Sequence, residues 1–225
     1  TRLLVESDWY QARWPTKITS DQNEKTLFEN DKRGFRQSSA VARMTGKRGH
    51  FVVWDDPQNP ESANSETSRE TSLRIFRETL PSRLVDPINS VIIIIMQRLN
   101  QDDVSGYILA NDLGYQHLML PMEFEPERRC YSPVKPTFIN VNPEVVTWSP
   151  RTKSWKPRAE FEPEEEKALE GEEPRVEERY CVDWRELPEQ LLFPERFPRW
   201  TGERDKKMMG AYASQGQVQQ RPGTR

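Results

Sequence analysis

The sequence predicts an α/β fold: an incomplete doubly wound parallel sheet, then an extended Pro/Glu-rich linker and a C-terminal helix. Three observations lead there. Val91-Ile92-Ile93-Ile94-Ile95-Met96 is an uninterrupted, mostly β-branched run that wants both faces buried, as in the centre of a parallel sheet. Apolar strands alternate with helical periodicity from Thr1 to about Leu120, the rhythm of a doubly wound sheet. Beyond Pro121 the prolines recur every several residues, and 160–178 is mostly acidic, a composition that resists a packed core. The predicted divisions are 1–120, 121–198 and 199–225.

In order along the chain, Leu3-Leu4-Val5 reads as a short buried strand. Ser7 caps a brief helix carrying Trp9, Tyr10 and Trp14, which Pro15 ends. Asn30-Asp31-Lys32-Arg33-Gly34 looks like a hairpin turn between two short strands. Phe51-Val52-Val53-Trp54 is the next strand, closed by Asp55-Asp56-Pro57. Leu73, Phe76, Leu80 and Leu84 recur at helical spacing, so a helix is expected from Ser65 to about Leu80, with a kink or stop at Pro81. After the isoleucine run, Asn100 is expected to cap a helix through about Asn111, with Asp102 and Asp103 in its first turn and Gly114 as its stop. His117 to Leu120 reads as another short strand. Within the linker, Leu191-Leu192-Phe193-Pro194 should dock back onto the fold. Glu203 to Gln220 should form a helix weakened by Gly210 and Gly216.

Composition narrows the function classes. Of 225 residues, 34% are hydrophobic and 31% charged, with 18 prolines against 10 glycines. A net charge of −3 gives no bulk attraction to nucleic acid, so any DNA contact needs local basic patches. Cys130 and Cys181 lie far apart, without His or Cys at ligand spacing, which argues against a zinc knuckle and for free thiols in a reducing compartment. No apolar run is long enough to span a membrane. The chain carries no signal peptide and opens on Thr1, as a fragment or a processed chain would.

The chemistry centres on Asp55 and Asp56. An apolar strand ending in an acidic pair is how a nucleotide-hydrolysing α/β domain holds Mg²⁺ and aims a water at a γ-phosphate. The carboxyl edge of such a sheet is where ligands bind. On residue type alone the same pattern is also an ordinary acidic turn.

The order of the pieces resembles the large terminase subunit of tailed bacteriophages and prophages, the motor that packages DNA into the capsid. The segments that carry the resemblance begin with Thr45-Gly46 and Arg48-Gly49-His50 leading into Phe51 to Pro57. They continue through Val91 to Met96 with Gln97-Arg98-Leu99-Asn100-Gln101-Asp102-Asp103-Val104-Ser105-Gly106. Leu118-Met119-Leu120-Pro121-Met122-Glu123, Leu192-Phe193-Pro194-Glu195-Arg196-Phe197, and Gly210-Ala211-Tyr212 through Gln219-Gln220-Arg221-Pro222 complete them.

The resemblance implies a partial P-loop NTPase-like sheet that binds ATP and Mg²⁺. It makes Asp55 and Asp56 a Walker B pair, with Asp55 the Mg²⁺ ligand and Asp56 the catalytic carboxylate. Gln97 and Arg98 fall at the family's coupling motif, which senses the γ-phosphate and relays hydrolysis to domain movement. A capped or surface arginine at a strand end is the plainer reading of Arg98, and simple helix N-terminal charges that of Asp102 and Asp103. Implied partners are double-stranded DNA, the portal protein and the small terminase subunit, in the cytoplasm of a bacterial host.

The chain also departs from the family. No G-x-x-x-x-G-K-[ST] loop occurs in it, and Thr45-Gly46-Lys47-Arg48 precedes a strand rather than opening a helix. In the family that loop lies upstream of the matched stretch and a metal-dependent nuclease lies downstream. The resemblance therefore covers the second half of the ATPase domain and the linker toward the nuclease. Trp54 stands where smaller aliphatic residues are usual. Alone, this stretch is expected not to hydrolyse ATP, and its open sheet edges predict marginal stability.

Two other readings stand beside the enzyme one. The chain is a non-catalytic remnant or partner that docks on an intact terminase or portal complex, through a linker surface bearing Trp148, Trp155 and Trp184. Alternatively, it binds nucleic acid through Lys47, Arg48 and His50, or through Lys206, Lys207, Arg221 and Arg225.

Overall fold

The computed structural model describes residues 1–137 and 140–223. It is mixed α/β, with three separate sheets and a C-terminal helix. The N-terminus is helical rather than extended: α1 (Arg2–Val5) leaves Leu3 and Leu4 exposed and buries only Val5. With one apolar face needed and not two, a helical turn serves where a buried strand was expected. In α2 (Asp8–Gln11) the Ser7 hydroxyl accepts from the Tyr10 N–H, as the capping pattern predicted.

An antiparallel sheet follows, β1 (Ile18–Asn23), β2 (Leu27–Asn30) and β3 (Phe35–Gln37). Its second turn falls on Asn30 to Gly34. The Asn30 side-chain oxygen accepts from the Lys32 and Gly34 N–H groups, and Arg33 takes a left-handed φ of 63°.

The central unit is a parallel pair, β4 (Phe51–Asp55) and β5 (Val91–Ile95), in register from Phe51↔Val91 to Asp55↔Ile95. Between them run α3 (Pro60–Ala63), α4 (Glu66–Arg74) and a π-helical turn, Ile75–Thr79, that ends before Pro81. α5 (Val104–Ala110) follows β5. These helices cover one face of the pair: Trp54 packs with Leu73, Phe76, Leu80, Val104 and Ile108, and Ile92 and Ile94 lie against that cluster. The bulk of Trp54 is thereby accounted for, since it fills the core.

The other face is open. Phe51, Val53, Val91, Ile93 and Ile95 are all exposed, Phe51 at 71%. The isoleucine run is therefore half-buried on alternate residues, Ile92 and Ile94, not buried on both faces as its composition predicted. Among the described residues the pair has no third strand.

Three further expectations change here. The helix after β5 is capped by Asp103, whose carboxylate accepts from the Gly106 N–H at 2.7 Å. Asn100 instead closes a local turn onto the Asp102 N–H. Residues 117–120 form no strand. The stretch expected as an extended linker holds a four-stranded antiparallel sheet in the order β6 (Tyr131–Ser132), β9 (Val176–Cys181), β7 (Pro143–Ser149), β8 (Ser154–Lys156). Tyr131, Val146, Trp155 and Cys181 form its core, with Trp148 against it.

Within the acidic stretch, α6 (Pro163–Lys167) buries Glu165 beneath the β7–β8 hairpin. Glu165 accepts from Ser149 (2.6 Å), Thr152 (3.0 Å) and the Lys156 ammonium (2.6 Å). Burial pushes its carboxyl up, but Lys156, Ser149 and the other donors outweigh that and hold it at about 2. Since its ordinary value is 4.5, this group's stabilisation is complete above pH 4.5 and is lost as pH falls toward 2. The loss is on the order of 2–3 kcal/mol. A Glu165→Gln chain should melt lower at pH 7 and show a shallower decline of melting temperature between pH 4.5 and 2. An unchanged acid profile would show that the pair contributes nothing.

Leu192 docks as expected, its N–H donating to the Met122 carbonyl. α7 (Arg199–Gln217) is broken at Gly210 (φ 77°), so it is two helical pieces, and Gly216 lets its end approach the Arg98 carbonyl. A Cβ on Gly216 would stand 2.6 Å from that oxygen.

Candidate functional site

The register of β4 on β5 decides what shares the carboxyl edge of the parallel pair. Asp55 is the last residue of β4, opposite Ile95, and the Asp56 N–H donates to the Ile95 carbonyl at 2.9 Å. Asp56 sits at φ 45°, a left-handed conformation that ends the strand and turns the chain into Pro57. Both acidic side chains are exposed, and so is Gln97, two residues beyond the end of β5. Asp55, Asp56 and Gln97 are thus brought to one edge by strand pairing alone.

Arg98 goes elsewhere. Its Nε donates to both oxygens of Asp103 at 3.0 and 3.1 Å, and its backbone N–H donates to the Gln220 side chain at 2.9 Å. Asp103 is fully buried and also accepts from the Leu99 and Asn100 N–H groups. Burial raises the Asp103 carboxyl, opposed by the Arg98 charge and by the N–H groups of Gly106 and Asn100. In this conformation Arg98 is a partner in a structural ion pair, and meeting a phosphate would require it to release Asp103. Asp102 remains exposed at the surface beside this network.

Gln58 is a residue that the sequence reading passed over. It lies two positions beyond Asp56, is 4% exposed, and neither polar atom of its amide has a hydrogen-bond partner among the described residues. A buried unpaired amide costs about 1–3 kcal/mol, so each one in a native fold calls for an explanation. Nothing in residue type marked it, because a glutamine after Asp-Asp-Pro reads as loop. Gln58→Leu should therefore raise the unfolding free energy by about 1–2 kcal/mol, measured by urea denaturation. Destabilisation instead would mean that the amide is satisfied in solution.

Asp55 and Asp56 are the donors that a magnesium ion would meet at this edge. Mg²⁺ is usually held by one or two carboxylates together with phosphate oxygens and waters, and two adjacent exposed carboxylates supply that much. Among the described residues no group of three or more His, Cys, Asp or Glu gathers into an all-protein cage.

The basic clusters are dispersed. Lys47 donates to the Ser39 hydroxyl, Lys206 pairs with Glu123 at 2.5 Å, and Arg221 with Glu125 at 3.5 Å. Arg225 lies outside the described residues. Trp148 and Trp155 pack on each other at 5.5 Å within their own sheet, while Trp184 is 44% exposed beside Phe193. No helix among the described residues is long and apolar enough to cross a membrane.

A scan against protein-family models finds no match to this chain, and a search of curated proteins finds none either.

Proposed function

We propose that this chain is part of a phage DNA-packaging motor, from the ATPase half of a terminase large subunit, acting in the cytoplasm of a bacterial host. The observation that carries the reading is the parallel β4–β5 register, which sets Asp55 and Asp56 beside Gln97 at one strand edge. Asp55 would hold the Mg²⁺ of bound ATP, Asp56 would orient the attacking water, and Gln97 with Arg98 would respond to the γ-phosphate. Parallel sheets normally have both faces covered. The open face of Phe51, Val53, Val91, Ile93 and Ile95 is therefore consistent with a larger, P-loop NTPase-like doubly wound sheet. The backbone hydrogen bond from Arg98 to Gln220 ties the segment after β5 to the turn that follows the C-terminal helix. DNA, the portal protein and the small terminase subunit are the partners this reading carries.

The test is the complete reading frame around this stretch, expressed and assayed for DNA-stimulated ATP hydrolysis. Asp56→Asn should lower turnover by about 100-fold or more if its carboxylate manages the water. Undiminished turnover, or a frame without a phosphate-binding loop, would overturn the motor reading. A second reading, a non-catalytic partner that docks on an intact terminase or portal complex, is favoured by the same open apolar face. Its signature is co-purification with that complex, independent of nucleotide and abolished by Ile93→Lys.

A further inference from the structure

A second concavity lies away from the acidic pair. One wall is the end of α5 with residues 112–119; the other is the β7–β8 hairpin with Arg175 and Arg179. Its volume is about 550 Å³, within the range of small-molecule sites. The lining is rich in cations, and most are already engaged: Arg98 with Asp103, Arg175 with Asp112, Lys156 with Glu165.

Two lining cations lack an ion-pair partner. Arg129 and Lys153 have no salt bridge among the described residues, and the Arg129 Nε is buried without a hydrogen-bond partner. Arg129 rests on the Phe124 ring, with its guanidinium carbon 5.6 Å from the ring centroid, and also bonds the Tyr131 side chain, so it is held in place while its Nε keeps a free donor. Lys153 stands on the exposed hairpin turn with φ 52°. The surplus of cations over carboxylates along the walls makes the field in the cleft positive. Glu127, Glu160 and Glu162 also line the cleft and oppose the field.

We propose that this cleft binds a phosphate-bearing anion, with the Arg129 guanidinium as its fixed donor and Lys153 as a mobile second cation. A guanidinium donates two parallel hydrogen bonds to a phosphate, and an unpaired buried donor gains most from doing so. Nucleotides and nucleic-acid strands both carry the required chemistry. The site is independent of Asp55 and Asp56, neither of which lines the cleft.

The experiment is calorimetric titration of the chain in EDTA at constant ionic strength. The probes are inorganic pyrophosphate, ATP and a ten-nucleotide single strand, with fluorescence of Trp148 and Trp155 as a second readout. Saturable binding is expected, weakened about tenfold or more by Arg129→Gln and about threefold by Lys153→Gln. Glu160→Gln should tighten it, which a purely structural role for Arg129 would not produce. Binding of pyrophosphate or ATP identifies a free nucleotide as the source, and binding of the strand alone identifies nucleic acid. Absence of saturable binding by all three at millimolar concentration overturns the site, as does binding indifferent to Arg129→Gln and Lys153→Gln. Lys153 is exposed on a turn, so its variant is expected to fold. Asp55→Ala should leave the titration unchanged, so this site and the proposed ATPase edge can fail separately.

Discussion

Asp103→Ala should lower the unfolding free energy by about 3–5 kcal/mol, as measured by urea denaturation. The carboxylate is fully buried and serves five donor contacts: the Leu99, Asn100 and Gly106 N–H groups and the Arg98 Nε to both oxygens. Its removal uncaps α5 and leaves a guanidinium whose side chain is only 14% exposed without its counter-charge. The loss should concentrate locally, so amide exchange at 104–110 should accelerate before that of β4 and β5. Asp102→Ala is the control. Its side chain is exposed one residue away, and its removal should stay within about 0.5 kcal/mol of neutral. Equal losses from the two variants would refute the capping network.

This pair of neighbours also shows what sequence reasoning reaches. A helix after the isoleucine run was legible, and so was the Asn30–Gly34 hairpin, because each is a local pattern; the expected acidic first turn is absent, since Asp103 is the cap and Asp102 lies before it. Which of Asn100, Asp102 and Asp103 caps α5 was not legible, since all three types cap well and the choice follows from where Arg98 arrives. The end of the strand before Pro57 was readable for the same reason as the hairpin: charged residues followed by proline stop a strand locally. The destination of Arg98 was not, because its partner is five residues away through a turn.

The second sheet was hidden by composition. Residues 121–198 look like linker because so many are proline or charged, and average composition assumes that charged residues stay in water. Here Lys156, Glu165, Asp183 and Arg185 are all buried, each matched to an opposite charge. Four core positions are thus written in charged letters, and the alternation of β7, with Val145 exposed and Val146 buried, spans too few residues to outweigh them. The isoleucine run misled in the opposite direction. Its composition demands two buried faces, and the residues described here supply helices for only one.

Arg185 is the residue on which that hidden unit depends most, and Arg185→Ala should destabilise the chain by about 3–5 kcal/mol. Its side chain is fully buried and paired with Asp183 through two bonds, 2.8 Å from Nε and 2.7 Å from Nη2. Nη1 donates to the carbonyls of Pro121, Met122 and Gln190, joining the entry of the 121–198 stretch to its exit. Met122 in turn donates its N–H to Val218 at the end of α7, so the clamp also seats the C-terminal helix. Arg185→Lys should be nearly as harmful as alanine, because an ammonium cannot span a carboxylate and three carbonyls from one position. A double variant, Asp183→Leu with Arg185→Met, separates the two contributions. It removes the buried charges together, which by itself is close to neutral, yet it takes the Arg185 donor from the Pro121 carbonyl and leaves the Met122 and Gln190 carbonyls with only the Leu192 and Phe124 N–H groups. Partial recovery in a thermal melt is therefore expected. Full recovery would mean that the ion pair alone matters, and no recovery would mean that the carbonyl clamp carries the whole effect.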